Sequence, residues 1–465
     1  MSVDSVVTRF APSPSGEVHL GNARTALFNY LLARRHGGHM VLRIEDTDAA
    51  RTQEAFVTAL SADLAWLGLE WPEGPERGGP HAPYRQSQRA DIYQRYFEQL
   101  LSRRLAYPCY CTPLELELTR RTQLAAGRPP RYAGTCRDLS ESAAAAKIEK
   151  GVRPTLRFRV PQGLRIEFED MVYGPQQFLS DDIGDFIIRR EDGSAAFFFS
   201  NALDDALMQI THVMRGEDHL TNTPRQRLLL QALELPLPKY GHVSLLLGAD
   251  GAPLSKRHGA TSVREIREAG FASLALCNHL FRLGHSSADN RLLTLEQMAA
   301  AFDVTHLQRS PAHFELTQLR PWQSEWVRTL SVSEARTWLG PILSPELTGP
   351  ETDAFISAVL PNIVLAEDAR DWQQIIFAEP LAYEAPALQA ARAAGPSFFS
   401  AAAEAVREPI DLGALRHATG AKGAAFFMPL RAALTGRLHG PELGPLLAAM
   451  PRERVRARLL HFARP

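Results

Sequence analysis

Cysteine is scarce in this chain, four residues among 465, which excludes a fold held by a disulfide scaffold. An excess of one charge is missing as well. Lys and Arg total 51 against 52 Asp and Glu, so any contact with a polyanion must come from local basic patches rather than from overall charge. No uninterrupted apolar run reaches the length of a membrane-spanning helix, no charged-then-apolar leader opens the chain, and no internal repeat recurs. These absences set the expectation of a cytoplasmic protein without a membrane partner. What is present is material for several cores: 45% of the residues are hydrophobic, and a chain of this length exceeds one ordinary core, so two or more packed domains are expected.

Residues 6–10 read as a short buried strand, and the segment after it, broken by Pro12 and Pro14, as a loop. Ala23, Ala26, Leu27, Tyr30 and Leu31 fall on one face of a helix expected to start near Asn22 and to end at Gly37-Gly38. Residues 40–44 form the next strand. The result is a β-loop-α-β unit of the doubly wound kind, whose ligands collect beyond the carboxyl ends of strands. The loop carrying Ser13 and the run Glu45-Asp46-Thr47-Asp48 lie there. From Tyr107 the character changes. Residues 107–195 read as an α+β insertion with strands at 155–160, 164–168 and 185–190, after which the first sheet resumes with 209–214 and 242–247. Beyond Trp322 strand signals fade, and helical patterns at 397–407, 427–434 and 454–462 predict an all-helical end. The expected division is 1–106 and 196–250 for the two halves of an α/β domain, 107–195 for the insertion, 251–321 for a further segment and 322–465 for the helical region.

Two loops carry chemistry. A glycine-containing turn that leads into a helix N-terminus is a natural phosphate seat. Gly16 and Gly21 let the backbone approach a triphosphate, and His19 at the lip of the helix can donate to a phosphate oxygen as charge builds on it. The alternative is a surface histidine that caps the helix. Far downstream, the turn at Asp250-Gly251 precedes Ser255-Lys256-Arg257, cations on a tether able to close over ATP, with Lys256 neutralising the phosphoryl group under attack. The alternative is a solvated Lys-Arg pair. Cys109, Cys111 and Cys136 supply three soft ligands, and a tetrahedral zinc needs a fourth, from Asp138 or Tyr132; the alternative is three reduced thiols. Cys277, in an apolar helical stretch, reads as a buried small hydrophobe. The acid pairs Asp181-Asp182 and Asp204-Asp205 read as turn residues without a metal.

Residues 9–24 resemble the first signature of class I aminoacyl-tRNA synthetases, His19-Leu20-Gly21-Asn22 standing for its His-Ile-Gly-His tetrapeptide. The segment up to Lys256 resembles the second, Lys-Met-Ser-Lys-Ser, with Pro253 in place of the first lysine. Arg43-Ile44-Glu45-Asp46-Thr47-Asp48 and Arg215-Gly216-Glu217-Asp218-His219 are similar to the glutamyl and glutaminyl branch, and the resemblance runs through residues 427–431 and 434–443 near the end.

The resemblance implies a multidomain protein: a Rossmann-like catalytic domain, an inserted acceptor-binding domain at 107–195, a stem-contact segment at 251–321 and an all-α anticodon-binding region at 322–465. It implies a monomer that activates L-glutamate with ATP and Mg2+ and transfers it to tRNA(Glu), with activation dependent on bound tRNA. The ATP site then comprises His19, Gly21, Asn22, Ser255, Lys256 and Arg257. Glutamate is implied to meet Arg9, Ser13, Glu45, Phe197, Asn201 and Arg215. Glu45 suits the ammonium, and Arg9 and Arg215 suit the side-chain carboxylate, which selects glutamate over glutamine by charge. The bland readings are an Arg43–Glu45 ion pair at a strand edge and a salt bridge from Arg215 to Glu217 or Asp218. Phe197 stands where a tyrosine is common, and Asp138 where a histidine is commoner. RNA would follow Arg120, Arg121, Arg128 and Arg131 in the insertion and Arg452, Arg454, Arg456 and Arg458 at the end; solvated helix faces are the alternative. Rival readings are an enzyme that also charges tRNA(Gln), a glutamine–tRNA ligase, a base-modifying paralogue and a non-catalytic tRNA-binding relative. The helical end argues against the glutamine–tRNA ligase, and the presence of a distal domain against the paralogue.

Overall fold

The first strand, β1 (Val7–Phe10), pairs in parallel with β2 (His39–Leu42), Val7 opposite His39 and Phe10 opposite Leu42. The computed structural model describes residues 5–14, 16–47, 53–252, 254, 261–344, 349–377 and 379–464. Between these strands α1 (Leu20–Arg35) buries Ala23, Ala26, Leu27, Tyr30 and Leu31 on the expected face, joined by Phe28 and Leu32. Full burial of each large apolar side chain contributes about 1.5–3 kcal/mol. The turn after α1 requires glycine. Gly37 sits at φ 66°, and a Cβ on Gly38 would lie 1.8 Å from the Val6 carbonyl oxygen.

The chain divides into two compact units, Met1–Ala269 with Leu276–Leu316, and Gly270–Ala275 with Thr317–Pro465. In the first, α2 (Glu54–Trp66) and α3 (Ala90–Ser102) lead to β3 (Ala106–Cys109), which joins an antiparallel sheet of order β3-β4-β7 with β4 (Thr155–Phe158) and β7 (Phe186–Arg189). Between β3 and β4 run α4 (Pro113–Ala125) and α5 (Glu141–Glu149), neither of which buries a residue. The hairpin β5 (Arg165–Asp170) and β6 (Gly174–Leu179) precedes the short α6 (Ser180–Ile183). After β7 come α7 (Phe197–Leu207), β8 (His212–Gly216), α8 (Thr223–Ala232) and β9 (Lys239–Val243). β8 and β9 pair in parallel, and the last residue of β5, Asp170, pairs in parallel with Tyr240 of β9, giving the order β6-β5-β9-β8. The Thr211 N–H donates to the Val7 carbonyl at 2.9 Å and so ties the start of β8 to β1. The unit closes with β10 (Leu246–Gly248), α9 (Val263–Glu268), α10 (Ser273–Arg282) from Leu276 onward, α11 (Leu295–Ala301) and β11 (Ala312–Phe314), the last parallel to β10.

Three sequence expectations need correction. The strand expected at 242–247 is two strands, because at the break the Ser244 carbonyl accepts from Arg24 Nη2 and the Leu245 N–H donates to Glu217 Oε1 at 2.9 Å. Side chains thus take the backbone groups a continuous ladder would use. The strand expected at 209–214 starts later, at His212, since Gln209 adopts φ 55°. The helix expected near Asn22 starts at Leu20.

In the second unit every strand or helix among the described residues is helical: α12 (Leu316–Thr329), which begins at the unit boundary, α13 (Val332–Leu339), α14 (Gly349–Val359), α15 (Ala366–Phe377), α16 (Ala385–Ala405), α17 (Leu412–Thr419), α18 (Ala424–Thr435), α19 (Leu443–Ala449) and α20 (Arg452–Phe462). Phe355, Phe399, Phe426, Leu430, Leu446 and Val455 are wholly buried in its core. α16 bends at Gly395 (φ 78°, ψ 162°) before Pro396, where the proline ring bars the preceding residue from helical geometry. No helix among the described residues is long and apolar enough to cross a membrane.

Candidate active site

A cavity of about 300 Å3 opens at the carboxyl ends of β1, β8 and β9, walled by Arg9, Gly21, Asn22, Arg24, Glu45 and Arg215, with Phe197 and Asn201 on the same wall. Its polar groups form one connected chain. Arg9 Nε donates to Asp205 Oδ1 at 3.1 Å, and Arg43 Nη1 donates to the same oxygen at 2.7 Å. Arg43 Nη2 then donates to Glu45 Oε1 at 3.1 Å, where Asn201 Nδ2 also donates. Gln226 Nε2 donates to Asn201 Oδ1 at 2.7 Å, and Arg215 Nη2 donates to Gln226 Oε1 at 2.7 Å. Burial works against the Asp205 carboxylate, but Arg9 and Arg43 outweigh it and lower its pKa. For Glu45 burial wins and raises the pKa in spite of Arg43 and Arg9.

Arg215 is 6% exposed and has no carboxylate partner among the described residues. It donates to His242 Nε2 (3.2 Å), Thr223 Oγ1 (2.9 Å), Gln226 Oε1 and the His219 carbonyl, while its Nη1 has no partner among the described residues. Burial, with Arg9 adding repulsion, pushes its pKa down to about 10, which leaves it charged at neutral pH. The salt bridge weighed for it in the sequence is not formed: Glu217 accepts from Tyr173 Oη and the Leu245 N–H, and Asp218 lies 3.6 Å from His219. A buried cation with no carboxylate in contact among the described residues favours an anionic guest on its cavity wall. The Arg43–Glu45 pair, by contrast, does form. Phe197, at the first turn of α7, packs against His219 with ring centroids 5.6 Å apart and planes tilted by 35°.

The first signature brings Gly21 and Asn22 to this wall at the start of α1, whereas His19 and Ser13 are exposed and lie off it. His19 occupies the N-cap position of α1 without a side-chain cap bond, so helix capping does not explain it. Around Gly16 a Cβ would meet nothing within 4 Å. Ser255, Lys256 and Arg257, with Pro253, lie outside the described residues. Both ends of that segment are held beside the first signature. The Leu20 N–H donates to the Thr261 carbonyl and the Val263 N–H to the Val18 carbonyl, each at 3.0 Å, and His19 bridges Ser262. On the other side, a Cβ on Gly21 would contact Leu246 Cβ at 3.8 Å. A capping box fixes the returning end: Glu265 N–H donates to Ser262 Oγ while Glu265 Oε2 accepts from the Ser262 and Thr261 amides.

The sulfurs of Cys109, Cys111 and Cys136 lie within 4.8 Å of one another. Tyr132 Oη is 3.3 Å from Cys109 Sγ and 3.6 Å from Cys111 Sγ, and accepts from the Cys136 N–H at 2.8 Å. Asp138 is instead exposed and paired with Arg159 at 2.9 Å. Of the two expected fourth ligands, therefore, Tyr132 stands at the cluster. Burial pushes the Cys111 thiol up to about 12; at Cys109 burial is outweighed by hydrogen bonding with Tyr132, the Cys111 backbone and Arg157, and the pKa falls. Three soft sulfurs and one oxygen fit a tetrahedral zinc. Cys277 is buried in α10 as expected.

Sequence reasoning missed Asp205, Gln226, Asp170 and His242. Asp204-Asp205 does not form the expected turn but lies buried within α7. Asp204 accepts from Gln86, Arg89 and Tyr93, and Asp205 from the two arginines. The available signal was two acids inside an otherwise apolar helical run, which must find donors when buried. Gln226 and His242 belong to no motif.

The fold defines a class: parallel strand pairs with helices between them and a cavity at their carboxyl ends, continued by a helical unit. Residues 5–321 match the family described as tRNA synthetases class I (E and Q), catalytic domain, and residues 318–463 match an anticodon binding domain. The chain belongs to the class I tRNA synthetases of this E and Q family. It is 54% identical to glutamate–tRNA ligase 2 of Nitrosococcus oceani over 464 residues, 99% of this chain and 98% of that protein. It is 50% identical to glutamate–tRNA ligase 1 of Halorhodospira halophila over 468 residues, covering 100% and 98%. The crystal structure of the glutamate-tRNA synthetase from Elizabethkingia anophelis superimposes with a TM-score of 0.88 at 29% identity, covering 99% of this chain and 100% of that one.

Proposed function

We propose that the protein is a glutamate–tRNA ligase that activates L-glutamate with ATP and transfers it to the 3′ terminal adenosine of tRNA(Glu). In the first step a glutamate α-carboxylate oxygen bonds to the α-phosphorus of ATP and pyrophosphate leaves. In the second, a hydroxyl of the terminal adenosine attacks the carbonyl carbon of the mixed anhydride and AMP leaves. The observation that carries this reading is Arg215, a buried guanidinium with neither an acid partner nor a partner for its Nη1 among the described residues, on the same cavity wall as Arg9. A side-chain carboxylate satisfies that site and an amide does not, which favours glutamate over glutamine. Glu45, though already paired with Arg43, faces the cavity and suits the substrate ammonium; Asn201 holds it, and Phe197 lies on the same wall. His19, Gly21 and Asn22, with Ser255, Lys256 and Arg257 from the second signature, would hold the triphosphate. Magnesium enters with ATP and screens its phosphate charge.

The two halves 1–106 and 196–250 carry this chemistry. Residues 107–195 grip the tRNA acceptor end, 251–321 contact its stem and 322–465 read the anticodon. The enzyme acts as a monomer in the cytoplasm. Cys109, Cys111 and Cys136, with Tyr132 at the fourth corner, would hold one structural zinc. Elemental analysis of purified protein is expected to find one zinc per chain, lost in Cys136→Ser; a metal-free enzyme of full activity overturns that assignment. The central test is Arg215→Ala in tRNA-dependent ATP–pyrophosphate exchange. Loss of a charge-assisted pair predicts a KM for glutamate raised about 100-fold or more, with the KM for ATP little changed. Aminoacylation of purified tRNA(Glu) and tRNA(Gln) side by side shows whether one tRNA or both are charged.

A further inference from the structure

His242, in β9, lies between an acid and a base that are distant in sequence. Its Nδ1 is 2.6 Å from Asp170 Oδ2, and its Nε2 is 3.2 Å from Arg215 Nε and 3.1 Å from Thr223 Oγ1. An arginine Nε–H only donates. The acceptor is therefore His242 Nε2, and the ring proton sits on Nδ1, donated to Asp170. Asp170 is itself fixed, because its Oδ1 accepts from the backbone N–H groups of Val172 (3.0 Å), Tyr173 (2.9 Å) and His242 (3.3 Å). Asp170 is 1% exposed and His242 0%. Burial and the nearby Arg215 hold the imidazole neutral, against the pull of Asp170.

The arrangement differs from that of Arg9, which donates directly to the carboxylate of Asp205. A carboxylate in contact with Arg215 would orient it but also cancel the charge an anionic substrate must meet. A neutral ring in between orients without cancelling. We propose that Asp170 and His242 are positioning residues for the acid substrate: Asp170 fixes the tautomer of His242, and His242 Nε2 fixes the plane of the Arg215 guanidinium that receives the substrate side-chain carboxylate. The inference rests on the reading of Arg215 given above.

Asp170→Asn tests it in the full chain with tRNA, ATP and glutamate. Asparagine keeps the volume and the oxygen that takes the three backbone bonds, but presents an NH2 group to Nδ1. The ring must then carry its proton on Nε2, donor against donor with Arg215. The expected result is a KM for glutamate raised about 10- to 100-fold, the size of one misaligned charged hydrogen bond, with the KM for ATP unchanged. His242→Leu should match it. His242→Gln, whose Oε1 accepts from Nε, should recover most of the loss. In the Arg215→Ala background Asp170→Asn should add nothing, because it acts only through Arg215. Should Asp170→Asn not fold, the contrast between His242→Leu and His242→Gln decides the matter alone. The relay is overturned if the glutamate KM of Asp170→Asn or His242→Leu stays at the wild-type value, if Gln and Leu at 242 behave alike, or if the KM values for glutamate and ATP rise together. If those variants are silent while Arg215→Ala raises the glutamate KM, the relay fails and the pocket stands. If Arg215→Ala is itself silent, the pocket reading fails.

Discussion

Four guanidiniums buried around one cavity are held in three ways. Arg9 and Arg43 share Asp205, Arg215 is held by neutral groups, and Arg24 is held by the carbonyls of Ser244 and Leu283. With the carboxylates of Glu45, Asp205 and the cavity-lining Asp218 set against them, one positive charge remains, and a cavity of that sign suits a dicarboxylic acid and a triphosphate. Buried histidines carry a second consequence. Burial, helped by Arg282 at His279 and by His306 at His285, pushes both pKa values down to about 4 from an ordinary 6.5. Between those values the unfolded chain binds more protons than the folded one, so stability present above pH 6.5 is lost as the pH falls toward 4. Thermal midpoints measured across pH 7 to 4.5 should fall. The fall should be shallower in His279→Leu, whose parent ring has an Nε2 without a partner among the described residues; an equal slope in both proteins refutes the assignment. At this scale the sequence made Arg9, Glu45, Asn201 and Arg215 legible, because they stand in or beside signatures. It left His242 invisible, since a histidine within an apolar strand carries no sign of the carboxylate it will meet.

At the scale of elements, the residues that follow the second signature are bonded to the first through backbone groups. Val18 and Leu20 bond to Val263 and Thr261, and the capping box of α9 sets the geometry of that contact. Val263 is the first residue of α9, a position where proline suits a helix, and Ser262 before it is already extended. Val263→Pro therefore removes the N–H that reaches Val18 while sparing the helix. We expect ATP–pyrophosphate exchange to fall about tenfold, the worth of one backbone hydrogen bond, mainly through the KM for ATP, with helicity by circular dichroism unchanged. Exchange at the wild-type rate would mean that the contact does not hold the second signature in place. Periodicity made most elements readable, α1 above all. The break between β9 and β10 was not readable, because its cause is Arg24 and Glu217 reaching in from other elements.

At the scale of the molecule, division in space and division along the sequence do not coincide. Residues 270–275 belong with the helical unit, and the Ala272 N–H donates to Gln323 Oε1 at 2.8 Å. A chain cut after Leu316 leaves that amide without its partner. Such a truncation should charge no tRNA and should melt below the full-length protein in calorimetry, the lost midpoint reflecting an unpaired segment as well as a missing unit. An unchanged midpoint would show that 270–275 needs nothing from the helical unit.

What the sequence determined by itself is local: strand and helix positions, the helical character of the end, and the residue types placed at the two signatures. These follow from side-chain periods and turn chemistry that act over a few residues. Tertiary structure decided the partners. Arg9 and Asp205 are 196 residues apart, Arg43 and Asp205 162, and Asp170 and His242 72. No local pattern records which carboxylate will meet which guanidinium, because that choice is made only when the sheet brings distant strand ends together and burial makes an unpaired charge costly.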